Sequence, residues 1–161
     1  MPEDPAANAA LIHRFYEAFA RRDAETMAAC YAPDAIFSDP VFRGLQGDEV
    51  TSMWRMLCER GKDLEVSRRD VHSDGPTGSA HWTAVYTFAT TGRKVRNEID
   101  ARFVFENGLI AEHLDSFSIY RWSRQAFGPI GVLLGWSSRF HRRIRESARE
   151  RLADYMAGTP E

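Results

Sequence analysis

Lys94-Val95-Arg96-Asn97-Glu98-Ile99-Asp100-Ala101-Arg102-Phe103-Val104-Phe105-Glu106-Asn107-Gly108-Leu109-Ile110-Ala111-Glu112-His113-Leu114-Asp115 reads as two long strands around a two-residue turn. Asn-Gly is the strongest short hairpin signal, because both residues accept the positive φ that a type I′ turn demands. The flanks alternate and are rich in β-branched and aromatic side chains. With a two-residue turn, Glu106 faces Leu109, Arg102 faces His113, Asp100 faces Asp115 and Glu98 faces Phe117. Side chains alternate in direction along a strand, so Glu98, Asp100, Arg102 and Val104 share one face. Residues directly opposite one another have Cβ atoms about 5 Å apart.

Upstream of this hairpin, Leu64 to His72 and Ala80 to Ala89 also read as strands, separated by the turn cluster Asp74-Gly75-Pro76-Thr77-Gly78. Downstream, the return strand runs from Leu109 to Trp122. The first third has the other period. A helix is expected from about Ala6 to Arg22, with Leu11, Ile12, Phe15 and Phe19 at helical spacing. Asp23 caps a short second helix that Pro33 ends. Ala35 to Asp39 is a short strand stopped by Pro40. Asp48 opens a third helix with Val50, Met53, Trp54 and Leu57 on one face. Three helices followed by a meander of long strands predict an α+β domain, with the helices packed on the concave face of a curved antiparallel sheet. That domain is expected over 1–122. Residues 123–161 form a C-terminal helical extension on the same domain, with a helix from Ser137 or Ser138 to about Met156 carrying Phe140, Ile144, Ala148, Leu152 and Tyr155 on one stripe.

A chain of 161 residues can bury a real core, and its 43% hydrophobic and 27% charged residues are ordinary for a globular protein. No leader pattern or long apolar run points to secretion or a membrane span. The two cysteines, Cys30 and Cys58, read as reduced core residues of a cytoplasmic protein. No Cys or His pair has metal-ligand spacing, so no zinc or iron site is expected. Residues 1–120 carry 13 of the 21 Lys+Arg and 19 of the 23 Asp+Glu, so the body is acidic and the tail basic. The tail's arginines alternate with Glu146, Glu150 and Asp154 and lack aromatic platforms, which argues against nucleic acid. Ile130 to Trp136 is too short to cross a bilayer and is expected to pack over the mouth of the cone or along the helical layer, with no membrane partner.

Phe15-Tyr16-Glu17-Ala18-Phe19 followed by Asp23, then Tyr31-Ala32-Pro33-Asp34-Ala35-Ile36-Phe37-Ser38-Asp39-Pro40, then Phe103 to Ile110, resemble the NTF2-like superfamily of cone-shaped barrels. The chain is most similar to its branch of SnoaL-like polyketide cyclases and ketosteroid isomerases, over roughly residues 8–122. The resemblance implies a cone with a hydrophobic cavity. It places Asp39 at the general base of ketosteroid isomerase and Asp100 at that family's neutral carboxylic acid. The family's main oxyanion tyrosine falls on Phe15, and a second tyrosine falls on Trp54. The related limonene epoxide hydrolases use an Asp-Arg-Asp relay. Trp82 and Ala84 stand where its Arg and an Asp would be, and only its last acid has a match, in Asp115.

Within such a cone Asp39, Asp100 and Asp115 are the expected catalytic acids. Two carboxylates at facing positions cannot both ionise cheaply, so one is expected to hold its proton. Phe15, Phe19, Phe37, Trp54, Trp82, Tyr86, Arg102, His113 and Phe117 are the expected substrate-binding residues. The bland readings are that Asp39 caps a turn and that Asp100 and Asp115 form an ion-pair network with Arg102. The expected function is cofactor-independent proton transfer on a small hydrophobic carbonyl or hydroxyl compound, as in isomerases, cyclases and dehydratases. The alternative is a non-catalytic module that binds a hydrophobic ligand or dimerises. A homodimer through the sheet is expected, on the premise that Ile99, Ala101, Phe103 and Phe105 face outward.

Overall fold

Residues 95, 99, 101, 103 and 105 are Val, Ile, Ala, Phe and Phe, whereas 94, 96, 98, 100 and 102 are Lys, Arg, Glu, Asp and Arg. Only the first row can enter an apolar core without stranding charge. In the computed structural model, which describes residues 2–158, that row is buried and the charged row lies on the outer face. This corrects two expectations at once. Asp100 and Arg102 do not point into the cone, and the apolar row invoked for a dimer through the sheet is the core itself.

The elements are α1 (Pro5–Ala20), α2 (Ala24–Ala29), β1 (Tyr31–Ser38), β2 (Leu45–Gln46), α3 (Asp48–Arg60), β3 (Glu65–Ser73), β4 (Thr77–Phe88), β5 (Arg93–Glu106), β6 (Leu109–Ser116), α4 (Ile119–Phe127), α5 (Pro129–Leu134) and α6 (Ser138–Met156). One six-stranded sheet runs in the order β2-β1-β6-β5-β4-β3. It is antiparallel except where β1 lies parallel to β6. Helices α1 and α3 cover its concave side, giving the α+β cone of the NTF2-like fold. Asp4 caps α1 by accepting from the N–H groups of Ala6 and Ala7, and Asp23 caps α2 through Thr26.

The β5–β6 hairpin explains which acid faces inward. Asn107 and Gly108 both have positive φ, and Glu106 pairs with Leu109 as the turn requires. Phe105 pairs with Ile110, but Val104 pairs with Glu112. Ala111 is an extra residue, a β-bulge, and beyond it every partner slips by one. Arg102 therefore meets Leu114 rather than His113, and Ala101, not Asp100, meets Asp115. The bulge keeps both Ile110 and His113 on the inner face.

Other boundaries moved for identifiable reasons. Strand β1 begins at Tyr31, and its pairing with β6 is irregular between Tyr31 and Ile36, the span that holds Pro33. Strand β6 stops at Ser116, because the Ser118 hydroxyl accepts from Arg121 N–H and starts α4 where more strand was expected. Helix α6 lies against α3, and Leu152 is 2% exposed within the main core. Burial of that side chain contributes about 1.5–3 kcal/mol. Helix α5 lies along the helical layer, its backbone against α4 at Gly131, and not over the mouth of the cone. Its Ile130, Val132, Leu133 and Leu134 are nevertheless exposed, as is Trp136 beyond it.

Candidate functional site

Asp39 follows the last residue of β1, where Pro40 forces the chain to turn. Its Oδ1 accepts hydrogen bonds from the N–H groups of Val41 (2.7 Å) and Phe42 (2.6 Å). Both bonds fall on one oxygen, which leaves Oδ2 for another proton. The residue keeps partial access to solvent. Burial pushes its carboxyl up to about 7, helped by the charge of Asp115 and opposed by the two backbone bonds.

Tyr86, on the inner face of β4, belongs to the same corner. Its hydroxyl oxygen accepts from Trp122 Nε1–H at 2.7 Å, so the phenol proton is free to be donated elsewhere. Burial raises its pKa and the charge of Asp39 raises it further, while the Trp122 bond acts in the opposite sense. Asp39 and Tyr86 thus sense one another electrostatically. Helix α4 closes this corner through Trp122, and α6 reaches it through Arg145, whose Nε donates to the Pro40 carbonyl at 2.9 Å.

Deeper in the cone lies a connected polar chain. Trp54 Nε1–H donates to the Tyr31 hydroxyl (2.9 Å), Tyr31 bonds His113 Nδ1 (2.7 Å), and His113 Nε2 bonds Asp115 Oδ1 (2.8 Å). Trp82 Nε1–H also donates to Asp115 Oδ1, at 3.3 Å. With Nδ1 as the accepting ring nitrogen, the Tyr31 hydroxyl donates to it and His113 donates from Nε2–H to Asp115. Every donor in the chain points toward the Asp115 carboxylate. His113 and Asp115 are only 2% and 3% exposed, so this chain is shielded from bulk water. Tyr16 stands beside it. Its hydroxyl is buried without a hydrogen-bond partner among the described residues, and burial and the Asp115 charge hold its pKa well above the usual value.

The structure brings Asp39, Asp115, His113, Trp54, Trp82, Tyr86, Phe15, Phe19 and Phe37 to the interior, with Phe117 half-buried beside them. The rings of Phe15, Phe19, Phe37, Trp54 and Trp82 form one contiguous cluster. Trp54 lies 5.5 Å from Phe15 and 5.3 Å from Phe37, and the His113 ring is 4.4 Å from Phe103. Asp100 is elsewhere. Its side chain is 80% exposed on the outer face and bonds His81 Nδ1 at 2.9 Å, while Glu98 takes His81 Nε2 at 2.7 Å. Arg102 is exposed on the same outer face. Tyr31, Tyr16 and Trp122 were missed by sequence reasoning. For Tyr31 the signal existed, since it shares odd parity with the inward Ala35 and Phe37. For Trp122 it was hidden by reading α4 as strand.

No curated protein matches the chain. Among solved structures, an NTF2-like protein of unknown function from Burkholderia pseudomallei is 24% identical, covers 74% of this chain and 97% of its own, and superposes with a TM-score of 0.66. An LEH-like epoxide hydrolase from M. tuberculosis is 17% identical, covers 81% of this chain and 96% of its own, with a TM-score of 0.65. At such identities these likenesses speak for the fold. The family model described as SnoaL-like domain matches residues 12–113, from the first core helix to the buried histidine of the polar chain, and the protein therefore belongs to the SnoaL-like domain family.

Proposed function

We propose that the protein is a cofactor-independent acid–base enzyme that moves a proton on a small hydrophobic carbonyl compound. Asp39 is the base. A carboxyl held near 7 is half ionised at neutral pH and is still basic enough to take a proton from carbon next to a carbonyl. Oδ2 is the oxygen that receives it. Tyr86 is the partner, and its free O–H stabilises the enolate oxygen while Trp122 holds the phenol in place. It takes over the task that the family resemblance assigns to a position occupied here by Phe15. The single observation that carries this reading is the raised, partly accessible Asp39 carboxyl, whose charge acts on the Tyr86 hydroxyl.

The test is deuterium washout of the α-protons of bicyclic to tetracyclic ketones, followed by NMR in heavy water. The expected result is exchange above buffer for at least one ketone, abolished in Asp39→Asn, reduced in Tyr86→Phe and unchanged in Asp100→Asn. Equal exchange by the unaltered protein and Asp39→Asn would refute the assignment. A second reading, a hydrophobic-ligand-binding module without chemistry, is favoured by the ring-filled interior. It predicts ketone binding with no exchange in any variant.

A further inference from the structure

Residues 121–145 hold six arginines and no acidic residue. In the middle of this run lies an exposed apolar cluster. Among the described residues, five of the nine exposed large hydrophobic side chains are Ile130, Val132, Leu133, Leu134 and Trp136, with Leu133 69% and Trp136 73% exposed. An apolar patch of this kind on a folded surface marks a contact site. It is also held rigidly. A Cβ at Gly131 would run into the Ser123 carbonyl oxygen, so only glycine lets the backbone of α5 rest directly on α4. Close packing of this backbone turns the side chains of α5 away from the protein.

The charges are arranged around this knob. Arg121 and Arg124 lie one turn apart on α4, and Arg139, Arg142 and Arg143 share one face at the start of α6. An open cleft of about 690 Å³ is lined by Arg93 and Arg124 together with Pro129, Val132 and Leu133. Guanidinium groups thus stand beside apolar walls, the pairing that an anionic amphiphile presents in reverse. We propose that this surface docks on an anionic lipid membrane. Ile130, Leu133 and Trp136 enter the boundary between headgroups and acyl chains, and the arginines meet lipid phosphates. Trp at such a boundary keeps its ring in the apolar layer and its N–H in the polar one. Among the described residues no helix is long and apolar enough to cross a membrane, so the contact is peripheral.

Charge decides against a second copy as the occupant. A two-fold interface through α5 would set the arginines of one protomer against those of the other, with no acid in the run to offset them. This proposal replaces the expectation of no membrane partner. The nearest acids of α6, Glu146 and Glu150, lie beyond the acid-free run, further along the helix than the arginine face next to α5.

The experiment is co-sedimentation of the full chain with vesicles of phosphatidylcholine alone, or with about 30 mol% phosphatidylglycerol. Binding is expected only to the anionic vesicles, falling roughly tenfold in Leu133→Glu and again in Arg142→Glu, and weakening at high salt. Both substituted side chains are exposed, and an unchanged melting temperature verifies that each variant folds. Equal binding to both vesicle types, no binding to either, or unaltered binding by Leu133→Glu overturns the proposal. So does a dimer seen by light scattering that Leu133→Glu dissociates while vesicles stay unbound, which would assign α5 to self-association.

Discussion

Replacing Asp39 by Asn should stabilise the protein at alkaline pH and do little near pH 4.5. In the folded chain the carboxyl titrates at about 7, against an ordinary value of 3.8 once the chain unfolds. Between those values the folded state holds a proton that the unfolded state has released, so this group's contribution to stability falls as pH rises through that window. At 1.36 kcal/mol per tenfold change in acidity, the full penalty above pH 7 is about 4 kcal/mol. Water reaches the partly exposed carboxyl and screens it, so roughly half, about 2 kcal/mol, is the expected figure. The Asn side chain keeps an Oδ1 that can accept from Val41 and Phe42, so the turn survives and only the buried charge is lost. In a domain of this size each kcal/mol moves the melting temperature by about 2–4 °C. Asp39→Asn should therefore melt about 4–8 °C higher at pH 8, and the advantage should shrink below about 1 kcal/mol near pH 4.5. Thermal unfolding by circular dichroism across this range is the assay. An offset that is the same at both ends, or a loss of stability at pH 8, would refute the reasoning. A gain bought by removing the base would fit a site that trades stability for chemistry.

Tyr31→Phe should cost about 2–4 kcal/mol in urea denaturation, because it strands both Trp54 Nε1–H and His113 Nδ1 in the buried chain. Leu152→Ala should cost about 2–3 kcal/mol, whereas Leu133→Ala should stay within about 0.5 kcal/mol, since the first is buried and the second exposed. Truncation after Arg124 removes Leu152 and the rest of α6, and should lower the melting temperature sharply. An unchanged melt would make the tail an independent arm. His81 has its pKa raised by Glu98 and then Asp100, so its contribution is present below about 6.5 and lost as pH rises through the raised folded value. His81→Gln should thus lose more stability at pH 6 than at pH 9 in the same thermal assay.

The strands, the two-residue turn and the inward set of aromatic rings were legible because each rests on local chemistry: alternation, positive φ at Asn107-Gly108, helical spacing of Phe15 and Phe19. The inner face of β5 was legible too, yet the resemblance to ketosteroid isomerase overrode it. Reading Val95, Ile99, Ala101, Phe103 and Phe105 as the buried row needed only the rule that charge stays in water. What could not be read was the bulge at Ala111. A bulge inserts one residue without a composition of its own, and alanine there carries no signal. Its consequence is large. Without it, an inward Phe105 would put Ile110, Glu112 and Leu114 inside and His113 and Asp115 outside. With it, the strand turns His113 and Asp115 inward, completes the chain from Trp54 through Tyr31, and places a buried charge close enough to Asp39 to raise its carboxyl further. Deleting Ala111 should therefore leave the inward set in place. Glu112 would follow Ile110 directly, Val104 would still meet Glu112, Phe103 would meet His113 and Ala101 would meet Asp115, now in a ladder without a bulge. The Tyr31–His113 bond and the Asp115 contribution to Asp39's raised pKa should both survive. A folded deletion variant whose His113 ring, followed by NMR, had lost that bond would show that the local bend of the bulge, and not the register alone, holds the polar chain.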